Sequence, residues 1–499
     1  MTRSSFARGV LAAVLMTAAA GSCGRGARTD VDLVTLRMGA AMPILQSGST
    51  SMNYLRTTLT RDYLVGGGED GRATPRLIES WSASEDGLTW HLRLRAGVRF
   101  HDGSEMTSAD IAPAIEGLRR SMFAASRVEW ARPVDKLNVD VRLADRSSFF
   151  LDDLAAIYPE RVADGKRVGT GPFVAQAENE EGRLLLSAFP QYFRGRPAID
   201  RLEIATYPDL RNAWSALMRN EIDFLYELSR EAREFVEAES SVQVSTFLRP
   251  FVILLGFNAA RPPFQSATVR QAISAAIDRE GLVRDALRGQ GEPAATHLWL
   301  KNWAVSPAAT RVAFTPTRAM QLLDQAGLRR APASEAMPAR LRFKTMVYAP
   351  LERMALALQR QLALLDIDMQ IELPDSGTLV ARMKSGDFDA FLFEMNGGRT
   401  LKWPYLFWHS KAVFRPQFGV DYNAADASLD SIRLAPDDES VRAAVIEFQR
   451  VLEKDPPAVF LAWGEVARAS SRRFVVPSDG EGDIFASIWR WKPEAKGAQ

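Results

Sequence analysis

WSASEDGLTWHLRLRAGVRFHDGSEMTSAD, running from Trp81 to Asp110, is the stretch from which the rest of the chain can be read. Asp86-Gly87 reads as a turn, because Asp bonds its own backbone and Gly tolerates positive φ. Trp90, Leu92 and Leu94 then alternate with His91, Arg93 and Arg95, the period-2 mark of a strand buried on one face. Ala96-Gly97 breaks that strand, and Val98 to Phe100 is expected to start another before the turn His101-Asp102-Gly103. Thr107, with Asp110 three residues on, is a capping box that opens a helix. The local physics therefore predicts a hairpin followed by a helix.

Working outward, Gly169-Thr170-Gly171-Pro172-Phe173 is a tight turn, followed by YFRGRPAID from Tyr192 to Asp200 and by Asn220-Glu221-Ile222-Asp223. LGFN (Leu255 to Asn258), Pro262-Pro263-Phe264 and VRQAISAAIDRE (Val269 to Glu280) come next. In the last of these, Val269, Ala272, Ile273, Ala276 and Ile277 make an apolar stripe at helical spacing, with Arg270, Asp278 and Arg279 off it. These segments, in this order and together with the residue identities of the Trp81–Asp110 run, resemble the signature of the family 5 bacterial extracellular solute-binding proteins. Those are the ligand-capturing components of peptide- and nickel-type ABC importers. The resemblance implies an α/β, two-lobed periplasmic-binding-protein-like fold of type II, with an extra subdomain and a cleft between the lobes. It implies a first lobe over residues 33–255 carrying a subdomain at about 72–167, a second lobe over 256–463, and a tail, 464–499, that returns to the first lobe.

Composition bounds the function independently. At 499 residues the chain is too long for one typical domain. Its 62 basic and 61 acidic residues leave a formal net charge of +1, with no long run of either sign. That balance argues against nucleic acid as a partner, where a basic stripe is expected, and against strong steering of charged ligands.

At the N-terminus, Arg3 and Arg8 precede an apolar run from Val10 to Ala20, too short to span a membrane, and the chain's single cysteine, Cys23, follows directly. Ala20-Gly21-Ser22-Cys23 resembles a lipobox, which implies a signal peptide over 1–22, lipid on Cys23 and a small, polar tether to residue 32. Two acyl chains hold a protein stably to a membrane face.

Val31 to Ala40 is expected to be the first strand, Ser47 to Ser51 a loop, and Gly66-Gly67-Gly68 a flexible loop. Leu322-Leu323 with Ala326-Gly327 reads as a helix end capped by glycine, and Arg330 to Ala339 as a loop. Leu341–Tyr348, Asp368–Leu373 and Phe391–Phe393 read as strands, with an amphipathic helix over Leu351–Leu365. Such alternation argues for sheets covered by helices. Catalytic chemistry is hard to find. The four histidines, His91, His101, His297 and His409, are scattered; His91 reads as strand surface and His101 as a turn residue, while His297 and His409 could meet in space. No nucleophile elbow, Walker loop or His-Glu-x-x-His motif occurs. The acidic pairs Asp152-Asp153, Glu180-Glu181 and Asp437-Asp438 read as solvated loops.

The candidate ligand segment is EMNGGRTLKWPYLFWHS, Glu394 to Ser410. Rings supply contact area and a few polar groups supply orientation, which is what a small-solute site needs. Arg399, Asn396, Trp403, Tyr405 and Trp408 are the candidate ligand-binding residues, although Trp403 and Phe407, four apart, would equally suit the core face of a helix. In peptide-binding relatives, the resemblance implies, a Trp follows the strand and an Asp three residues later holds the ligand's ammonium. Here Met395 and Gly398 occupy those places, so a cation lacks its usual partner, while Arg399 offers a fork to a carboxylate or phosphate. The expected function is capture of a small solute, an oligopeptide or another compound, by closure of the lobes and delivery to membrane ABC permease subunits. The expected protein is an exported, membrane-anchored monomer, with no cofactor, metal, nucleic acid or covalent chemistry. A ligand-sensing surface lipoprotein and a secreted hydrolase are the alternatives.

Overall fold

The computed structural model describes residues 33–41, 52–163, 165–176, 183–306, 312–329, 339–414, 422–477 and 482–495, and those from Val34 onward belong to one compact unit. The Cys23 lipobox, the signal peptide and tether, the Ser47–Ser51 loop and the Glu180-Glu181 pair lie outside the described residues, as does 330–338. The first strand, β1 (Thr35–Ala41), buries Leu36, Met38 and Ala40. It runs parallel to Arg201–Tyr207 on one side and to Phe224–Leu228 on the other. Leu36, Met38, Phe224 and Tyr226 pack with Phe485, Ile488 and Trp491 of the C-terminal segment.

In the Trp81–Asp110 run the expected Asp86-Gly87 turn, the strand through Trp90–Leu94 and the helix form. Ile78–Ala83 pairs antiparallel with β2 (Thr89–Leu94), and Asp86 accepts the Leu88 N–H at 2.9 Å in the turn between them. Leu92 and Leu94 are buried, and Trp90 is half-buried against Phe150, ring centres 5.1 Å apart. Val98–Phe100 is not a strand. Both apolar residues are fully buried, but only the bridge between Arg99 and Glu105 forms. The helix α1 (Ser108–Glu116) follows Thr107, whose N–H donates to the Asp110 carboxylate at 2.8 Å. Val65–Gly67 pairs with Ala73–Pro75, so the glycine triplet starts a small hairpin in place of the expected loop. The short helix α2 (Phe150–Leu154) completes this subdomain.

Two long strands join the two halves of one eleven-stranded sheet: β3 (Val242–Phe257) and, near the end of the chain, Ala458–Ser471. Their antiparallel register shifts between Leu248 and Val252. Before the shift they border Phe224–Leu228; after it, β3 pairs with Ala390–Asn396, which lies next to Leu341–Val347 and then Ile367–Glu372. These halves are called the first and second lobes below. The Val269–Glu280 run splits into two helices, α3 (Ala267–Ala275) and α4 (Arg279–Ala286), because the Asp278 side chain caps the second by accepting the Gly281 N–H at 2.9 Å. Arg270 and Arg279, off the apolar stripe, are nevertheless buried. Arg279 donates to the Phe460, Ala294 and Ser274 carbonyls at 2.7, 3.1 and 3.1 Å, and Arg270 to those of Pro456 and Phe264. Burial of a guanidinium is tolerable only with its donors satisfied, and here main-chain carbonyls do most of this, with the Asp455 carboxylate for Arg270 and the Ser274 hydroxyl for Arg279.

Candidate functional site

A cavity of about 420 Å³ opens where β3 passes between the lobes. Its floor is Ser245–Leu248, and Glu69, Trp299, Lys301, Arg399 and the Gly482–Ser487 segment wall it. A volume of this size is that of a small-ligand pocket. Arg399 reaches it because the strand Ala390–Asn396 ends in a tight turn. The N–H groups of Gly397 and Gly398 both donate to the Pro250 carbonyl at 3.0 Å, and Gly398 N–H also to Asn396 Oδ1 at 2.9 Å. Gly398 adopts φ +56°, where a side chain is strained, and the Trp403 indole fills the space a side chain would take. The Arg399 carbonyl accepts from Asn302 Nδ2 at 2.8 Å. Its guanidinium lies against Gly482, so that a methyl group there would come within 2.9 Å of Nη2. Arg399 Nε is buried without a hydrogen-bond partner, and among the described residues no carboxylate pairs with the side chain.

The other charges of the cavity are engaged. Asp483 takes two bonds from Arg468, at 3.0 and 2.8 Å, and caps the following turn by accepting the Phe485 N–H. Lys301 lies 3.7 Å from Glu69, both half in water. The Trp299 indole donates to the Glu69 carbonyl at 2.9 Å and meets Trp463 edge-on. The arrangement offers a guanidinium whose Nε has no partner among the described residues, beside the aromatic surfaces of Trp299 and Phe247. Among the described residues that line the cavity, no nucleophile is activated by a base.

Of the five candidate ligand residues, only Arg399 lines the cavity. Lys402–Trp408 is a helix, α5, and its aromatic residues pack as a helix face. Trp408 is 1 % exposed and donates from Nε1 to His297 Nδ1 at 2.7 Å, deep in the second lobe. Tyr405 turns to Phe149 of the subdomain and to His409. Trp403 stacks on Phe407 and closes over Gly398, and Asn396 bonds the turn. Trp299, Phe247 and Asp483 were not legible as cavity residues, since they come from three distant segments with no local pattern to join them. His297 and His409 do not meet: the first binds Trp408, and the second lies 3.4 Å from Asp430. Burial pushes His297 down to about 3, against a weaker upward pull from the Asn396 carbonyl. Among the described residues, no group of three or more His, Cys, Asp or Glu is placed to hold a metal ion.

The acidic pairs separate. Asp437 is a solvated cap that accepts the Ser440 N–H at 2.8 Å. Asp152-Asp153 is no solvated loop: Asp153 is fully buried, 3.0 Å from Lys402 Nζ, and accepts the Ser126 N–H at 2.8 Å. Burial raises Asp152 to about 7, with Lys402 opposing and the Asp153 charge adding to the rise.

Comparison with known proteins agrees with this architecture. Residues 72–413 match the family described as bacterial extracellular solute-binding proteins, family 5 Middle. The chain belongs to that family. An ABC transporter peptide-binding relative from Brucella ovis is 27 % identical over 337 residues, and the match spans 63 % of this chain and 63 % of that one. Among solved structures, the ABC transporter substrate-binding protein CtaP of Listeria monocytogenes superposes with a TM-score of 0.79 at 19 % identity, covering 93 % of this chain and 99 % of that one. The binding protein AgaA of A. tumefaciens R10, in complex with agropinic acid, gives 0.73 at 21 % identity, covering 92 % and 99 %. The fold is therefore that of the type II periplasmic binding proteins. No described helix is long and apolar enough to cross a membrane.

Proposed function

We propose that this protein captures a small neutral or anionic solute in the cavity between its lobes and delivers it to an ABC permease, performing no covalent chemistry. The observation that carries this reading is the Arg399 guanidinium, presented to the cavity beside Trp299 and, among the described residues, paired with no carboxylate. A charged donor in a partly dry cavity favours a ligand carboxylate or phosphate, and the neighbouring ring adds area. Gly398, filled over by Trp403, gives a ligand ammonium nothing to bind. The complex of AgaA with an acid is consistent with this chemistry on the same fold. Contacts of one ligand to both lobes favour the closed arrangement, so hinge closure about β3 and Ala458–Ser471 is the mechanism.

The test is calorimetry with the best ligand from an unbiased metabolite screen. Removing one charge-assisted bond costs about 1.5–3 kcal/mol, so Arg399→Ala weakens binding roughly ten- to a hundredfold while the fold survives. Tight binding of free dipeptides, undiminished in Arg399→Ala, would overturn the reading. We propose also that Cys23 carries the lipid anchor. Cys23→Ala then moves the protein from the membrane fraction to the soluble one, or leaves it unprocessed. A wild-type protein recovered wholly soluble, with its mature N-terminus upstream of Cys23, would reject the anchor.

A further inference from the structure

The chain enters the subdomain from the first lobe at about Leu64–Arg72 and returns to it at about Val168–Gly169. Polar contacts fasten that side: Arg76 to the fully buried Asp62, the His101 N–H to the Gly169 carbonyl at 2.9 Å, and Arg61 to Glu160 at 2.8 Å. No chain crosses from the subdomain to the second lobe, yet the two meet over a tight joint. At its centre Lys402 Nζ lies 3.0 Å from Asp153 Oδ1, with the two side chains 5 % and 0 % exposed. Around this pair, the Ser148 N–H donates to the Arg433 carbonyl and its hydroxyl to that of Ile432, both at 2.7 Å, and Arg433 pairs with Asp145 at 3.2 Å. Phe149 rests on Tyr405.

The joint adjoins the solute cavity through a single loop. From Gly397 to Lys402 the chain places Arg399 in the cavity and, three residues on, Lys402 in the joint. Gly71, at the subdomain's edge, packs so closely on the Arg399 carbonyl that any side chain there would strike it. A movement of the second lobe away from the first must therefore pull Lys402 out of its pocket and release the loop that carries Arg399.

We propose that Asp153 and Lys402 form a second closing contact, outside the cavity, and act as positioning residues for Arg399. This rests on the reading that the lobes close, but it does not depend on which solute is bound. When the lobes part, water takes over both ions. When they close with one partner deleted, the other is buried unpaired, and such a loss is large. Asp153 still has the Ser126 amide, so the cleaner deletion is at lysine.

The test uses the full-length, ligand-free protein and amide hydrogen exchange. In Lys402→Met, peptides holding Ser148 and Gly397–Gly398 exchange on the order of a hundredfold faster, while Leu341–Val347 exchanges as in wild type. The double variant Lys402→Met/Asp153→Asn, which removes both charges, recovers part of the protection. If Lys402→Met does not fold, Arg433→Met at the rim gives the same local pattern to a smaller degree. Wild-type exchange at Ser148 and Gly397–Gly398, or acceleration spread evenly through the second lobe, overturns the proposal. Neither result touches the solute reading, which fails separately if no metabolite binds the cavity.

Discussion

Gly398 shows how one residue sets what a cavity can hold. Its positive φ and the indole lying over it mean that an acidic side chain cannot simply be restored there. Gly398→Asp is expected to cost about 2–4 kcal/mol, from backbone strain and overpacking, and to bring no affinity for cationic peptides. Urea unfolding and dipeptide calorimetry read the two effects separately. His297 is the residue through which acid should act. Its Nδ1 accepts from the Trp408 indole, so a second ring proton would face a donor, and burial holds its pKa near 3 against an unfolded value near 6.5. The unfolded chain binds the extra proton between those values, so stability is whole above about pH 6.5 and is lost as pH falls toward 3. His297→Gln flattens that acid limb, and an unchanged pH profile of urea midpoints would count against it. At this scale the sequence was a good guide wherever a period fixed a face, as for Trp90, Leu92 and Leu94. It was a poor one for Trp403 and Trp408, because a helix face and a cleft wall have the same composition.

Element boundaries were legible where the chain carries its own stop signals. Gly327, at φ +79°, follows the helix Pro316–Gln325, and the strand Leu341–Val347 begins where its alternation does. The split between α3 and α4 was missed because the apolar stripe runs straight through it. The available signal was Asp278 with Gly281 three residues later. Arg279, placed off the stripe, should be among the costliest surface-like residues to lose. Arg279→Met leaves the Phe460, Ala294 and Ser274 carbonyls short of donors and is expected to destabilise by about 3 kcal/mol or more. Chemical denaturation measures this, and a loss under 1 kcal/mol would mean that water replaces the guanidinium.

The arrangement of the whole molecule was legible only through family resemblance, since alternation says which face of a strand is buried and never which strand lies beside it. Nothing local to Val242–Phe257 or Ala458–Ser471 announces that they run through both lobes. That continuity has a thermal consequence. At about 100 times its dissociation constant a ligand adds about 2.7 kcal/mol. An unfolding entropy of about 2.1 cal/mol/K per residue, over a chain of 499, amounts to about 1 kcal/mol/K, so a solute held by both lobes of a protein that melts as one unit raises Tm by about 3 °C. If each lobe melted alone, with roughly half that entropy, a solute held by one lobe would move one transition by about 5 °C and leave the other in place. The shared strands and the buried Lys402–Asp153 joint argue for the first outcome. Scanning calorimetry with the best-binding metabolite separates the two. A single endotherm displaced by a few degrees fits capture between lobes, and an endotherm that splits on adding ligand would show that the solute touches one lobe only.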